Sequence, residues 1–310
     1  MTLSRRIIRT SIDWSGSGIP LADYLAGRFT YRSRAEWVER IAAGEITVNG
    51  HSADPAVLLQ LHDQLEYHPG DLEEPPAELN YAVLYEDECL LVIDKPGNLC
   101  IHPSGPFYRH TLWYLLTEKY GRIHFVSRLD RETSGVMPAA KTPECARKLS
   151  AAVAAKEYRV LVHGDFPGEL AADGFLSPAG SIIRKKRRFT WEAPAAPPFE
   201  RASTRFVRLA SGNGFSLLQA TLETGRMHQI RATLLSLGYP VAGDKLYGLD
   251  ETLYLRQRND SLTAEDREKL LLPRQALHAF RSVFRHPADG RMMEFTSPAP
   301  EIWMDLIEGK

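Results

Sequence analysis

The sequence predicts an α+β protein: a large body on a mixed, largely antiparallel sheet, with a small α/β module ahead of it. Three observations point there. Beyond residue 80 the apolar runs are short and strand-like, as in "YAVLYEDECLLVIDKPG", "EYRVLVHGD" and "GFSLLQATLET". The run "PGDLEEPPAEL" at 69–79 is rich in proline and acid, the composition of a connecting segment. A chain of 310 residues accommodates one large domain and one small one. The predicted division is a module at 15–70, a linker at 71–79 and a body at 80–310.

The module opens with "IPLADYLAGRF", where Leu21, Leu25 and Phe29 recur at helical spacing. Ser33 followed by Glu36 has capping-box spacing and starts a second helix with Trp37, Val38 and Ile41 on one face. Gly44 ends that helix. "EITVNGHSA" is then a short strand with Ile46 and Val48 turned inward, closed by the turn signal Asn49-Gly50. "LHDQLEYH" adds another strand. Together these make a core of marginal size.

In the body, two apolar runs surround Glu86-Asp87-Glu88 and end at Pro96-Gly97. Residues 157–165 and 214–224 are further strands. In "GRMHQIRATLLSLG", Met227, Ile230, Leu234 and Leu237 keep helical spacing up to the stop at Gly238. "ALHAFRSVF" and "RMMEFTSP" flank the hairpin turn "RHPADG", and "TAEDREKLLL" at 263–272 reads as a surface helix. No internal repeat is visible.

Hydrophobic residues at 44% and charged residues at 25% are the proportions of an ordinary soluble globular protein. No apolar run approaches the roughly 20 residues of a membrane span. The start, "MTLSRRIIRT", has neither an apolar stretch nor a small-residue cleavage site, so no secretory signal is predicted. Cys89, Cys100 and Cys145 are odd in number and scattered, which predicts neither a disulfide framework nor a zinc site, and a reducing, cytoplasmic setting.

The net charge of −1 neither announces nor excludes a nucleic-acid partner, because phosphate contacts depend on where cations cluster. The densest cluster is Arg184, Lys185, Lys186, Arg187 and Arg188 in "IIRKKRRFT". Its plainer reading is a solvated loop; its sharper one is a grip on a phosphate backbone.

The stretch "SRLDRETSGV" at 127–136 concentrates the chemistry. Asp130, between Arg128 and Arg131, is favoured in its ionised form, which suits a nucleophile or general base. Thr133, Ser134 and Gly135 form turns readily and set the preceding residues at a loop rim. From spacing alone, surface ion pairs are the plainer reading. A glycosidase pair of Asp130 and Glu132 fails, since side chains two apart do not face each other on a helix and no other acidic partner stands out. His102 and His228 have no His or Cys at ligand spacing, so no metal site is predicted. His228 reads as a structural hydrogen-bonding residue, and Lys95-Pro96-Gly97 as a strand end.

"SRLDRETSGV" resembles the signature of the RluA family of pseudouridine synthases, and it does not stand alone. "LLVIDKPGNLCIHPSG" (90–105), "KEYRVLVHG" (156–164) and "TGRMHQIRATLLSLGYPVAGDKLYG" (224–248) resemble that family's other elements, in the family's order. The resemblance covers about residues 80–300. It implies isomerisation of uridine to pseudouridine in RNA, with Asp130 as the catalytic aspartate. It further implies that Tyr158 stacks on the base and aids removal of the C5 proton, that Arg231 pairs with the aspartate, and that Arg128 enters the RNA stack. The implied reaction is redox-neutral and consumes nothing, so it needs no cofactor or metal.

Four departures are visible. Ser127 stands where the family often has histidine, "VMPAAKT" replaces a more apolar run, Met227 replaces threonine, and Thr233 replaces histidine. Residues 251–274 resemble an insertion.

The module resembles the RNA-binding domain of ribosomal small-subunit protein four, here the S-four domain, through "LADYLAGRF…SRAEWVERIAAGEITVNG". That likeness makes Arg28, Arg32, Arg34 and Arg40 RNA-facing candidates, with Glu36 and Glu39 among them. The implied partner is structured RNA, ribosomal more than transfer RNA, with no membrane and no obligate protein partner. The same chemistry on transfer RNA and a non-catalytic ribosome-assembly factor of the same fold stay open as alternatives, whereas a glycoside hydrolase using Asp130 lacks a credible second carboxylate.

Overall fold

The computed structural model describes residues 3–5, 7–29, 32–181, 183 and 185–310, so Arg184 of the basic run lies outside the described residues. The chain divides into two compact units, Met1–Pro76 with His102–Tyr114, and Ala77–Ile101 with Leu115–Lys310.

The first unit holds β1 (Leu3–Arg5), β2 (Ile8–Ser11), α1 (Leu21–Arg28), α2 (Arg34–Ala42), β3 (Ile46–Val48), β4 (His51–Ser52), β5 (Gln64–Tyr67) and β6 (Asp71–Glu73). Its main sheet runs β2-β5-β3-β4, and β1 pairs with β6. The capping box of α2 is formed: the Ser33 hydroxyl accepts from the Glu36 amide, and the Glu36 carboxylate accepts from the Ser33 amide at 2.7 Å. Asn49 and Gly50 both take positive φ, as the predicted hairpin turn requires. Leu21, Leu25, Trp37, Ile41, Ile46, Leu65 and Tyr67 form the buried core. β2 precedes residue 15 and β6 falls within the stretch read as a linker. Each is a strand because it finds a distant partner (β5 for β2, β1 for β6), which local composition does not encode.

The second unit holds β7 (Ala82–Glu86), β8 (Leu90–Lys95), most of α3 (Leu112–Tyr120), β9 (His124–Phe125), β10 (Ser134–Ala140), α4 (Pro143–Ala152) and β11 (Val153–His163). There follow β12 (Glu169–Pro178), β13 (Arg187–Thr190), β14 (Glu200–Gly212), β15 (Phe215–Leu222), α5 (Gln229–Ser236), α6 (Thr252–Arg258), α7 (Ala264–Leu270), β16 (Leu277–Arg285), β17 (Met292–Thr296) and α8 (Ile302–Glu308). One large sheet runs β13-β12-β14-β15-β11-β16-β10-β8-β7, with β17 on β16 and β9 on β10. β10 pairs in parallel with β16 through Ser134↔His278 and Gly135↔Ala279, and the other described pairs in this sheet are antiparallel. The sheet is therefore mixed and largely antiparallel, as the sequence predicts. β10 is buried along its whole length, which is why "SGVMPAA" shows no alternation. The predicted surface helix at 263–272 is α7, with its own capping box from Thr263 and Asp266.

The cysteine expectation is corrected. Cys89, just before β8, and Cys145, in the first turn of α4, form a disulfide with Cα atoms 5.9 Å apart. Antiparallel pairing of β8 with β10 brings the two together although 56 residues separate them in sequence. Only Cys100 is free, so the cysteine pattern no longer argues for a reducing compartment. Among the described residues, no helix is long and apolar enough to cross a membrane.

Candidate active site

The parallel contact of β10 with β16 lies inside the large sheet, with β8 and β7 beyond β10, and the loop 127–133 leads directly into it. Gly135 makes this entry feasible. Its φ is +112°, and a Cβ there would lie 2.2 Å from the Ala279 carbonyl oxygen. No side chain fits between β10 and β16 at that point, which explains the glycine of "TSG".

Asp130 sits in that loop with its side chain 28% exposed. Arg231, in α5, donates from Nη1 to Asp130 Oδ2 at 2.6 Å. The same guanidinium donates from Nε to Asp244 Oδ2 at 2.6 Å and from Nη2 to Asp244 Oδ1 at 2.9 Å. Asp244 Oδ1 also accepts from the amides of Leu246 and Tyr247 at 2.9 and 2.8 Å. A fully buried carboxylate fastened to backbone thus fixes the plane of Arg231, and Arg231 fixes Asp130. Burial works against ionised Asp130, but the attraction of Arg231 and then His228, with hydrogen bonds from Arg231 and Gln275, more than offsets that and lowers the pKa.

Tyr158 is buried on β11, beside a bulge in its pairing with β16, and lines a small cavity with Ser127, Leu129 and Lys156. Bulges of this kind re-aim a side chain. Burial, and then the nearby Asp130 charge, raise the Tyr158 pKa, so its hydroxyl keeps its proton.

Residues 89–236 match the model of the RNA pseudouridylate synthase family. The chain is 31% identical over 304 residues to the ribosomal large subunit pseudouridine synthase D of Pseudomonas aeruginosa, covering 94% of this chain and 91% of that protein. The chain belongs to the RluA family of RNA pseudouridine synthases. The synthase of the same description from Nitrosomonas europaea is 35% identical over 237 residues, which are 73% of this chain and 64% of that one. The solved structure of human RNA pseudouridylate synthase domain containing 1 matches with a TM-score of 0.56 at 23% identity, over 74% of this chain and 87% of that one, and shares the fold.

This pseudouridine synthase holds its Asp130 loop through Lys95. The Lys95 ammonium is fully buried and donates to the carbonyls of Pro96, Leu99 and Arg131 at 2.8, 2.9 and 3.2 Å. Burial lowers its pKa to about 7. The strand end "KPG" is thus a brace for the loop that carries the aspartate. Further along the loop, Lys245 donates to both Glu132 oxygens at 3.1 Å, and Gln275 donates to Thr133 Oγ1 at 2.7 Å. Gln257, from the segment read as an insertion, also donates to Glu132 at 3.3 Å.

The other candidate residues spread out. Arg128 is exposed on the loop, two residues before Asp130. In the basic run, Lys185 and Arg188 are exposed, with the Lys185 ammonium 4.3 Å from the Tyr254 ring centroid. Lys186 is committed to Glu251 at 2.5 Å, and the Arg187 amide donates to the Tyr247 hydroxyl at 2.8 Å. In the first unit, Arg28 ends α1 and Arg34 starts α2, where Arg34 pairs with Asp23 at 2.5 Å. Arg32 packs its guanidinium 5.9 Å from the Trp37 ring centroid, and Arg40 pairs with Glu45 at 2.7 Å.

Asp244, Lys95 and Gln275 carry no role in the sequence reading. Asp244 and Lys95 both lie inside quoted motifs, "GDKLYG" and "KPG", so the signal was present as pattern without geometry. Gln275 had no such signal.

Proposed function

We propose that this synthase isomerises uridines in structured ribosomal RNA, with the large subunit as the source, and that Asp130, Tyr158 and Arg231 carry the chemistry. The observation that carries the site assignment is the 2.6 Å contact of Arg231 with Asp130, beside buried Tyr158. An arginine cannot be deprotonated here, so it keeps the aspartate anionic without competing for the reaction's proton. The carboxylate either attacks the ribose anomeric carbon or assists formation of a glycal-like intermediate. The bond from that carbon to uracil N1 breaks, the uracil turns, and a bond to C5 forms, after which C5 loses its proton with the aid of Tyr158 and N1 gains one. Tyr158 supplies a flat face for the base and a protonated hydroxyl.

The target base must leave its stack, at a cost of a few kcal/mol. Exposed Arg128 is proposed to fill the gap. The cations at 184–188 are proposed to hold phosphates, a job for which exposed Lys185 and Arg188 are free to reach solvent. The first unit is proposed as an S-four-type RNA-binding domain at 15–70, followed by a connecting segment at 71–79 and the catalytic domain at 80–310. Its support is the helix pair, the capping box and the Asn-Gly hairpin against one sheet. Ribosomal RNA is favoured because the bacterial relatives are ribosomal large subunit pseudouridine synthases. Mapping pseudouridine in total RNA from cells with and without this protein tests the proposal. Loss of sites from large-subunit RNA is expected; loss confined to transfer RNA would contradict the substrate.

A further inference from the structure

His228 takes the left-handed conformation, φ +59°, at the N-cap of α5. That conformation is uncommon outside glycine, and it sets the ring between two groups. Nδ1 lies 2.9 Å from the Tyr247 hydroxyl, and Nε2 faces Asp130 Oδ1 across 3.7 Å. Tyr247 in turn accepts from the Arg187 amide at 2.8 Å.

These contacts favour one placement of the protons. A backbone amide only donates, so it occupies one of the two lone pairs of the Tyr247 oxygen and leaves the phenolic proton free to point at Nδ1. Nδ1 is then the acceptor, and the imidazole proton sits on Nε2. Electrostatics gives the same answer. An Nε2 lone pair against the Asp130 carboxylate would be repulsive, whereas an Nε2–H is attracted. The ring is also neutral: burial pushes its pKa down to about 4, with Asp130 and Asp244 opposing and Arg231 and Lys185 reinforcing the shift.

We propose that His228 is a positioning residue, presenting a neutral Nε2–H to Asp130 Oδ1 in a tautomer set by Tyr247. The proposal rests on Asp130 being the reacting carboxylate. Arg231 holds Oδ2, and His228 Nε2 faces Oδ1. A separation of 3.7 Å is longer than a hydrogen bond, so the contact aims Oδ1 without consuming its lone pairs. An imidazolium would add a second full charge and blunt the nucleophile. The amide that sets Tyr247 belongs to the basic run, so the loop proposed to grip RNA is attached to the residue that aims the carboxylate.

Nitrogen NMR of the full chain labelled with 15N-histidine reads the tautomer without any reaction. His228 is assigned by its absence in His228→Gln. At pH 7 a pyridine-type Nδ1 and a pyrrole-type Nε2 are expected, with a mixture of tautomers in Tyr247→Phe. The opposite tautomer, or an imidazolium, would overturn the proposal. In single turnover at saturating RNA, His228→Ala is expected to slow pseudouridine formation on the order of tenfold to a hundredfold with RNA affinity kept. His228→Gln, whose amide offers an N–H at similar reach, is expected to recover most of the rate. Equal losses in the two variants would overturn the positioning role. Full turnover by Asp130→Asn would overturn the underlying assignment instead, and is told apart because the tautomer is measured independently.

Discussion

Arg231 reaches Asp130 as the third hydrogen bond of a guanidinium already fastened twice to Asp244. The ion pair is therefore directional, set by a planar fork that a point charge cannot copy. Arg231→Lys is expected to keep the fold and lose about a hundredfold or more in single-turnover rate, since one ammonium cannot serve both carboxylates. Arg231→Ala leaves two carboxylates without their cation and is expected to cost about 3–5 kcal/mol in denaturant unfolding. A lysine variant of unchanged rate would show that the fork is unnecessary.

The acid side of the pH–rate profile follows from the same pair. The folded pKa of Asp130 is lowered, so its ionised form and the stability that form contributes persist above the unfolded value, about 3.9. Both are lost only as pH falls through the lower folded pKa. The single-turnover rate is expected to show no carboxylate titration down to about pH 5. In Arg231→Gln, burial is opposed only by His228 and Gln275, and an acid limb is expected to move up into that range. Lys95 runs in the opposite sense: its folded pKa of about 7 lies below its unfolded value. Burial of its charge weakens the fold below pH 7, and that penalty is relieved as pH rises toward the unfolded value.

Gly135→Ala tests the approach of β10 to β16. With φ at +112° and a Cβ position 2.2 Å from the Ala279 oxygen, the strands must separate to admit a methyl group. A loss of about 3 kcal/mol or more is expected in chemical denaturation, together with activity. Native stability in this variant would contradict the tight crossing.

The basic run divides into members that reach solvent and members that hold the loop. Replacing both Lys185 and Arg188 with glutamine is expected to weaken RNA binding and flatten its dependence on salt, by about one unit of slope per lost phosphate contact. Lys186→Gln is expected to leave that slope nearly unchanged, because Lys186 is spent on Glu251. Equal effects from all three positions would count against the division.

Much of this was legible in the sequence where local chemistry decides. The capping box at Ser33 and Glu36, the Asn49-Gly50 turn and the helix stop at Gly238 depend on neighbours a few residues away, and all are formed. The helix of "GRMHQIRATLLSLG" begins later than its spacing implies: His228 turns left-handed, so Met227 lies outside it. The Cys89–Cys145 disulfide and the β1–β6 ladder depend on chain reversals that no local pattern records. In the site, Asp130 and Arg231 could be singled out from motif order, but not the Asp244 fork or the Lys95 brace. Those are properties of three-dimensional geometry, in which one buried charge selects the orientation of the next.

The most direct test of the central claim is single-turnover pseudouridine formation by Asp130→Asn on the RNA that loses its modification when the protein is absent, with RNA affinity measured alongside. The substitution keeps shape and removes the charge, so pseudouridine formation should be abolished while affinity stays near that of the unaltered protein. Normal pseudouridine formation by Asp130→Asn would contradict the account.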